Sequence, residues 1–152
     1  MDSDKSLILQ QQIQQFIRLF GVLEQNKTPC GAPINITQAH ALHELSSAGA
    51  ITQQELANRL YIDKSTTSRL IDAFVKKGFV LRTTNPHNRR ETLISITDQG
   101  RRANDQVEKR RRAKYQKILD GIPLDKQPEV LSALSHLIQS LKKEKENTMT
   151  EE

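Results

Sequence analysis

Between Thr52 and Gly78 the chain signals two helix starts and two helix stops in quick succession, which leaves few folds open. In "ITQQELANRL", Thr52 and Glu55 match the S/T-x-x-E capping box, in which each side chain satisfies an orphan backbone N–H at the other's position. Leu56, Ala57 and Leu60 make that helix's buried face, and small Ala57 suits a close crossing. The break Tyr61-Ile62-Asp63 leads to a second helix with Asp63 as N-cap. That helix runs through Leu70, Ile71, Phe74 and Val75 to "KKG". There Gly78 supplies a left-handed C-cap, and the lysines complement the C-terminal dipole.

"FVLRTT" and "ETLISI" follow and read as two short strands, with "NPHNRR" as a basic turn between them. Thr97 then caps a long helix that runs to the break "DGIP". Two short helices and a basic hairpin make a winged helix-turn-helix. The expected fold class is mainly α with a small β-hairpin, in which N- and C-terminal helices form a dimerisation domain.

The flanks support that expectation. Leu9, Ile13, Phe16, Phe20 and Leu23 form a helical stripe near the start. The Pro/Gly-containing segment from Asn26 to Asn35 reads as a loop, and Thr37 as the cap of a short helix ended by Gly49. Val130, Leu134, Leu137 and Leu141 form a second stripe in a last helix expected over Leu124 to Lys145. One subunit is ill-equipped to bury both stripes, which points to a homodimer. The organisation expected is one domain over residues 1–152. Within it, 37–100 is the DNA-binding part, 5–35 and 101–146 are dimerisation helices, and 147–152 is a disordered tail.

The second helix of the pair opens "DKSTTSRLID", with four hydroxyl residues before its apolar positions begin. In a helix-turn-helix the N-terminal turns of this helix touch base edges in the major groove. Ser65, Thr66, Thr67 and Ser68 let the backbone approach the groove floor and bond either base edges or phosphates. Since four consecutive positions turn right around a helix, at least one must point away. Lys64 adds charge, and Arg69 carries the fork that matches the two acceptors of guanine. Thr52 and Gln53, at the start of the preceding helix, join the candidate DNA-binding set. The hairpin tip His87-Asn88-Arg89-Arg90 is the second contact, with His87, Arg89 and Arg90 as candidates for a narrow minor groove.

Charge agrees with a polyanionic partner. The net charge is +5 and the pI about 9.5. Eight Lys/Arg against four Asp/Glu fall between Thr52 and Ile96, so most of the excess sits on the expected DNA-binding unit. No stretch is long and apolar enough for a membrane span, and the N-terminus lacks the basic region of a secretory signal. The one cysteine, Cys30, excludes an intrachain disulfide framework and fits a reducing cytoplasm.

The segment "ELANRLYIDKSTTSRLIDAFVKKGFVLRTTNPHNRRETLISITDQG" resembles the core of the MarR family of bacterial transcription regulators. The features that match are the helix-turn-helix, the "KKGFV" exit, a wing ending in paired arginines and the "LISITDQG" return into a long helix. With the flanking helices, the resemblance runs from about Leu7 to Leu141. It implies an obligate homodimer on a pseudo-palindromic operator, and a repressor released by a small-molecule effector or other signal. Asn88 stands where the family wing usually carries an aspartate paired with the second arginine. Asparagine can hydrogen-bond there but cannot ion-pair.

Cys30 is the candidate sensor. Some MarR-like proteins sense oxidants through one cysteine, and a zinc-sensing branch uses Glu, Cys and His near this loop. That branch also needs histidines after the wing, and Arg101 to Leu119 has none, so no metal site and no cofactor are expected. Three arginines, Arg110, Arg111 and Arg112, span most of a helix circumference. They read as a solvated face, with phosphate contact or an anion pocket as the alternative. Two other classes compete with a regulator. An enzyme would need Cys30 as nucleophile with His40 or His43 as base, but a Pro/Gly loop supplies no oriented third group. A winged-helix module for protein or non-specific nucleic-acid binding would lack sequence preference.

Overall fold

The computed structural model describes residues 2–150. The chain divides into two compact units, one through Arg112 and the other from Ala113.

In the first unit, α1 (Asp2–Phe20) leads through a loop to α2 (Ile36–Ala48). The α1 stripe ends at Phe20, and Leu23 lies beyond it in the following turn. The α2 cap is Asn35, two residues earlier than the expected Thr37. Asn35 Oδ1 accepts from the Gln38 amide at 2.8 Å, and Gln38 Oε1 accepts from the Asn35 amide at 3.3 Å. Asparagine caps as well as a hydroxyl residue does, so Ile36 falls inside the helix.

Beyond Gly49, which lies at φ 73°, comes a two-residue strand, β1 (Ile51–Thr52). Then follow α3 (Gln53–Leu60), α4 (Lys64–Lys76), β2 (Val80–Asn85), β3 (Asn88–Ile96) and the start of α5 (Asp98–Asp120). The sheet therefore has three antiparallel strands in the order β1-β3-β2, where the sequence suggested two. Ile51 pairs with Ile94 and Thr52 with Leu93. A two-residue strand shows no alternation, so its pattern is invisible without its partner.

The core lies between α2, α3, α4 and the sheet. Leu42, Leu45, Leu56, Ile71, Phe74 and Ile94 are fully buried there, with Val80 beside them. A smaller cluster joins Ala32, Ala39 and Val107, with Cys30 and Ile34 packed against it. Gly100 lets α5 start against the strand. A Cβ there would collide with the Phe79 carbonyl oxygen and lie 2.7 Å from Ile96 Cγ1.

The second unit holds the end of α5 and α6 (Gln127–Thr150). Residues 147–150 continue this helix, where the sequence suggested a disordered tail; 151 and 152 lie outside the described residues. Thr148 Oγ1 donates to the Glu144 carbonyl at 3.0 Å and Thr150 Oγ1 to the Glu146 carbonyl at 2.7 Å, which ties the last turns together. Leu131, Leu134, Ile138 and Leu141 of α6 are exposed, as are Leu9, Phe16 and Leu19 of α1. No described helix is long and apolar enough to cross a membrane.

Candidate nucleic-acid interface

Both helices of the pair start on the caps that the sequence signals. Thr52 Oγ1 accepts from the Glu55 amide at 3.1 Å, and Glu55 Oε2 accepts from the Thr52 amide at 2.9 Å. Tyr61 makes the turn in the left-handed region at φ 54°, with its amide bonded back into α3. Asp63 then caps α4. Its carboxylate accepts from the Thr66 amide at 2.6 Å and from the Ser65 and Thr66 hydroxyls at 2.8 Å each. These bonds, the backbone one foremost, hold the Asp63 carboxyl down to about 2 from its usual 3.8, and the nearby Arg69 charge adds to them.

One of the four hydroxyls points away, and it is Thr67. Its side chain is fully buried, and its Oγ1 donates to the Asp63 carbonyl at 2.8 Å. Thr67 therefore leaves the candidate contact set and belongs with Leu70, Ile71 and Phe74 on the core face. The remaining residues face outward. Lys64, Ser65, Ser68 and Arg69 line a shallow concavity together with Gln53 of α3. Thr66 is half-buried, and its Oγ1 lies 3.5 Å from Arg69 Nη2. Thr52 is half-buried, with its hydroxyl committed to the cap.

The wing is tighter than its sequence suggested. Its turn is Pro86-His87 alone, and Asn88 already pairs with Asn85. Arg89 and Arg90 consequently stand on β3 rather than at the tip. Thr84 pairs with Thr92 but Asn85 with Asn88, so the register shifts across Arg89 to Glu91, and both arginines are exposed there. Asparagines organise the turn. Asn85 Oδ1 accepts from the His87 amide at 3.0 Å, and Asn85 Nδ2 donates to Glu91 Oε2 at 2.8 Å. Asn88 Oδ1 accepts from the Arg90 amide at 3.2 Å, a bond to the backbone that needs no negative charge.

A contact absent from the sequence reading joins wing to helix. Arg82 Nη2 on β2 donates to Asp72 Oδ1 on α4 at 2.5 Å. Two signals bear on it: Arg82 shares a strand face with Val80, and Asp72 is spaced i+3 from Arg69.

The other candidates are spread out. Cys30 is half-buried, with Sγ 3.0 Å from the Thr28 hydroxyl and 4.0 Å from the Val107 carbonyl oxygen. His43 Nδ1 lies 3.0 Å from Glu108 Oε1, Glu44 pairs with Arg59 at 3.3 Å, and the Ser47 hydroxyl donates to the His43 carbonyl. Partial burial lowers the His40 pKa, with help from Arg111 and His43. Among the described residues no three His, Cys, Asp or Glu side chains come together as metal ligands. The arginine run is divided in its duties. Arg110 Nη1 donates to the Gly31 carbonyl at 2.8 Å, Arg111 pairs with Glu108, and Arg112 is exposed.

Known proteins resemble this chain in sequence and in fold. The family model described as "MarR family" matches residues 34–92. The uncharacterized HTH-type transcriptional regulator YvnA of Bacillus subtilis (strain 168) is 24% identical over 108 residues, 69% of each chain. The multiple antibiotic resistance protein MarR of Salmonella typhimurium is 32% identical over 77 residues, which are 51% of this chain and 54% of that protein. Among solved structures, a cysteine-to-serine mutant of MarR from E. coli, complexed with operator DNA, superposes with a TM-score of 0.71. It is 23% identical and covers 91% of this chain and 96% of its own. The likeness in sequence, over residues 34–92, and the likeness in fold are both to MarR proteins.

Proposed function

We propose that this protein is a sequence-specific double-stranded DNA-binding transcription regulator, acting as a homodimer on a pseudo-palindromic operator. One observation carries the reading. The face of α4 that bears Lys64, Ser65, Ser68 and Arg69 is open, while its opposite face, with Thr67, Leu70, Ile71 and Phe74, is buried. A helix anchored along one side and presenting short polar residues and an arginine on the other is the element that enters a major groove. The names of the relatives, transcription regulators and not enzymes, agree with it.

In this reading Gln53, Lys64, Ser65, Thr66, Ser68 and Arg69 meet the major groove. His87, Arg89 and Arg90 meet backbone or minor groove. The exposed apolar residues of α1 and of α6 are covered by a second copy, which sets the two α4 helices one DNA turn, about 34–36 Å, apart. The regulator represses until a small ligand or other signal releases it, and works in the cytoplasm on the nucleoid. Selection from a random pool of duplexes tests this. An inverted repeat should be enriched, and the protein should sediment as a dimer at micromolar concentration. No enriched sequence, or a monomer, contradicts the proposal.

A further inference from the structure

We propose that Arg82 binds a DNA phosphate and that Asp72 is the positioning residue that aims it, so that α4 and the wing engage the duplex as one surface. This rests on the regulator reading above.

Asp72 follows Arg69 by three positions and Ser68 by four, so it continues the outward stripe of α4, away from Ile71 and Phe74. Arg82 follows Val80 by two positions on β2 and shares its sheet face. Val80 is buried in the core, whereas Arg82, which pairs across the sheet with buried Ile94, is exposed and reaches back to α4. Both partners remain accessible, with 37% of the Arg82 side chain and 55% of the Asp72 side chain exposed. An exposed pair of this kind contributes little to stability. Its consequence is orientation.

With α4 in a major groove and the hairpin at the adjoining minor groove, the sugar-phosphate strand dividing the grooves must pass between them. Arg82 stands at that junction. Its guanidinium has five N–H donors, and the bond to Asp72 uses one, which leaves others for a phosphate. Asp72 would otherwise be a bare carboxylate on a surface that approaches a polyanion. Paired with Arg82, it is neutralised and holds the guanidinium in place.

The test is a salt titration of affinity, on the duplex selected by the wild-type protein and on a scrambled duplex. Arg82→Gln should weaken both by the same factor, about fivefold at ~0.15 M salt, and make the log–log salt slope shallower by about one. Arg82→Lys should restore the slope. Asp72→Ala should lower affinity when Arg82 is present and raise it in the Arg82→Gln background, where only repulsion is relieved. Unchanged affinity and slope in Arg82→Gln overturn the inference. So does an equal gain from Asp72→Ala in both backgrounds. Wild-type protein that prefers neither duplex overturns the regulator reading instead.

Discussion

The Thr97 hydroxyl donates to the Gly78 carbonyl at 2.6 Å and accepts from the Gly100 amide at 3.1 Å. One side chain thus joins the exit of α4 to the first turn of α5. The Thr97 amide adds a bond to the Phe79 carbonyl at 2.9 Å. The wing is held at its base by these contacts, and Gly100 is what lets them close. Gly100→Ala should therefore destabilise the fold by roughly 1–3 kcal/mol or more, because backbone rather than a flexible side chain must move. Urea unfolding measures this, and an unchanged midpoint contradicts the packing described.

Ser65 and Thr67 look alike in the sequence but have opposite surroundings. Thr67→Ala should cost stability, roughly 1–2 kcal/mol from the lost buried bond and methyl group. Residual DNA affinity of its folded fraction should be near wild type. Ser65→Ala should leave the unfolding midpoint close to wild type and weaken DNA binding. Reversed outcomes would place Thr67 outward.

The Asp63 cap predicts an acid-side signature. Its folded carboxyl titrates near 2 and its unfolded one near 3.8. The folded state thus favours the charged form. Its contribution is complete above about 4 and is lost as pH falls towards 2. Asp63→Asn keeps an acceptor for the Thr66 amide but lacks the charge. Unfolding curves of the two proteins should therefore converge between pH ~4 and ~2, and a constant difference across that range contradicts the assignment.

Arg90 tests the wing. Arg90→Ala should weaken binding on any duplex and give a shallower salt slope. An unchanged slope contradicts the part given to the wing in binding.

Much of this arrangement was legible in the sequence, and the gaps have physical causes. Thr52, Glu55, Asp63, Gly78 and Thr97 sit at helix ends, where spacing to the next apolar run marks them. The Asn35 cap was hidden because Ile36 follows it and Thr37 carries the more familiar hydroxyl. β1 exists only through Ile94 and Leu93, partners far along the chain. The inward turn of Thr67 and the reach of Arg82 to Asp72 likewise depend on how α4 packs on its neighbours. That at least one hydroxyl must face away followed from helix geometry, but which one did not.

In the proposed function α4 reads bases, and Arg69 is its specific reader. The direct measurement is the affinity of wild type and Arg69→Ala for the selected duplex and for a scrambled one, at one salt concentration. Arg69→Ala should lose roughly 1–3 kcal/mol on the selected duplex and little on the scrambled one. An equal loss on both would make Arg69 a phosphate contact and contradict the account.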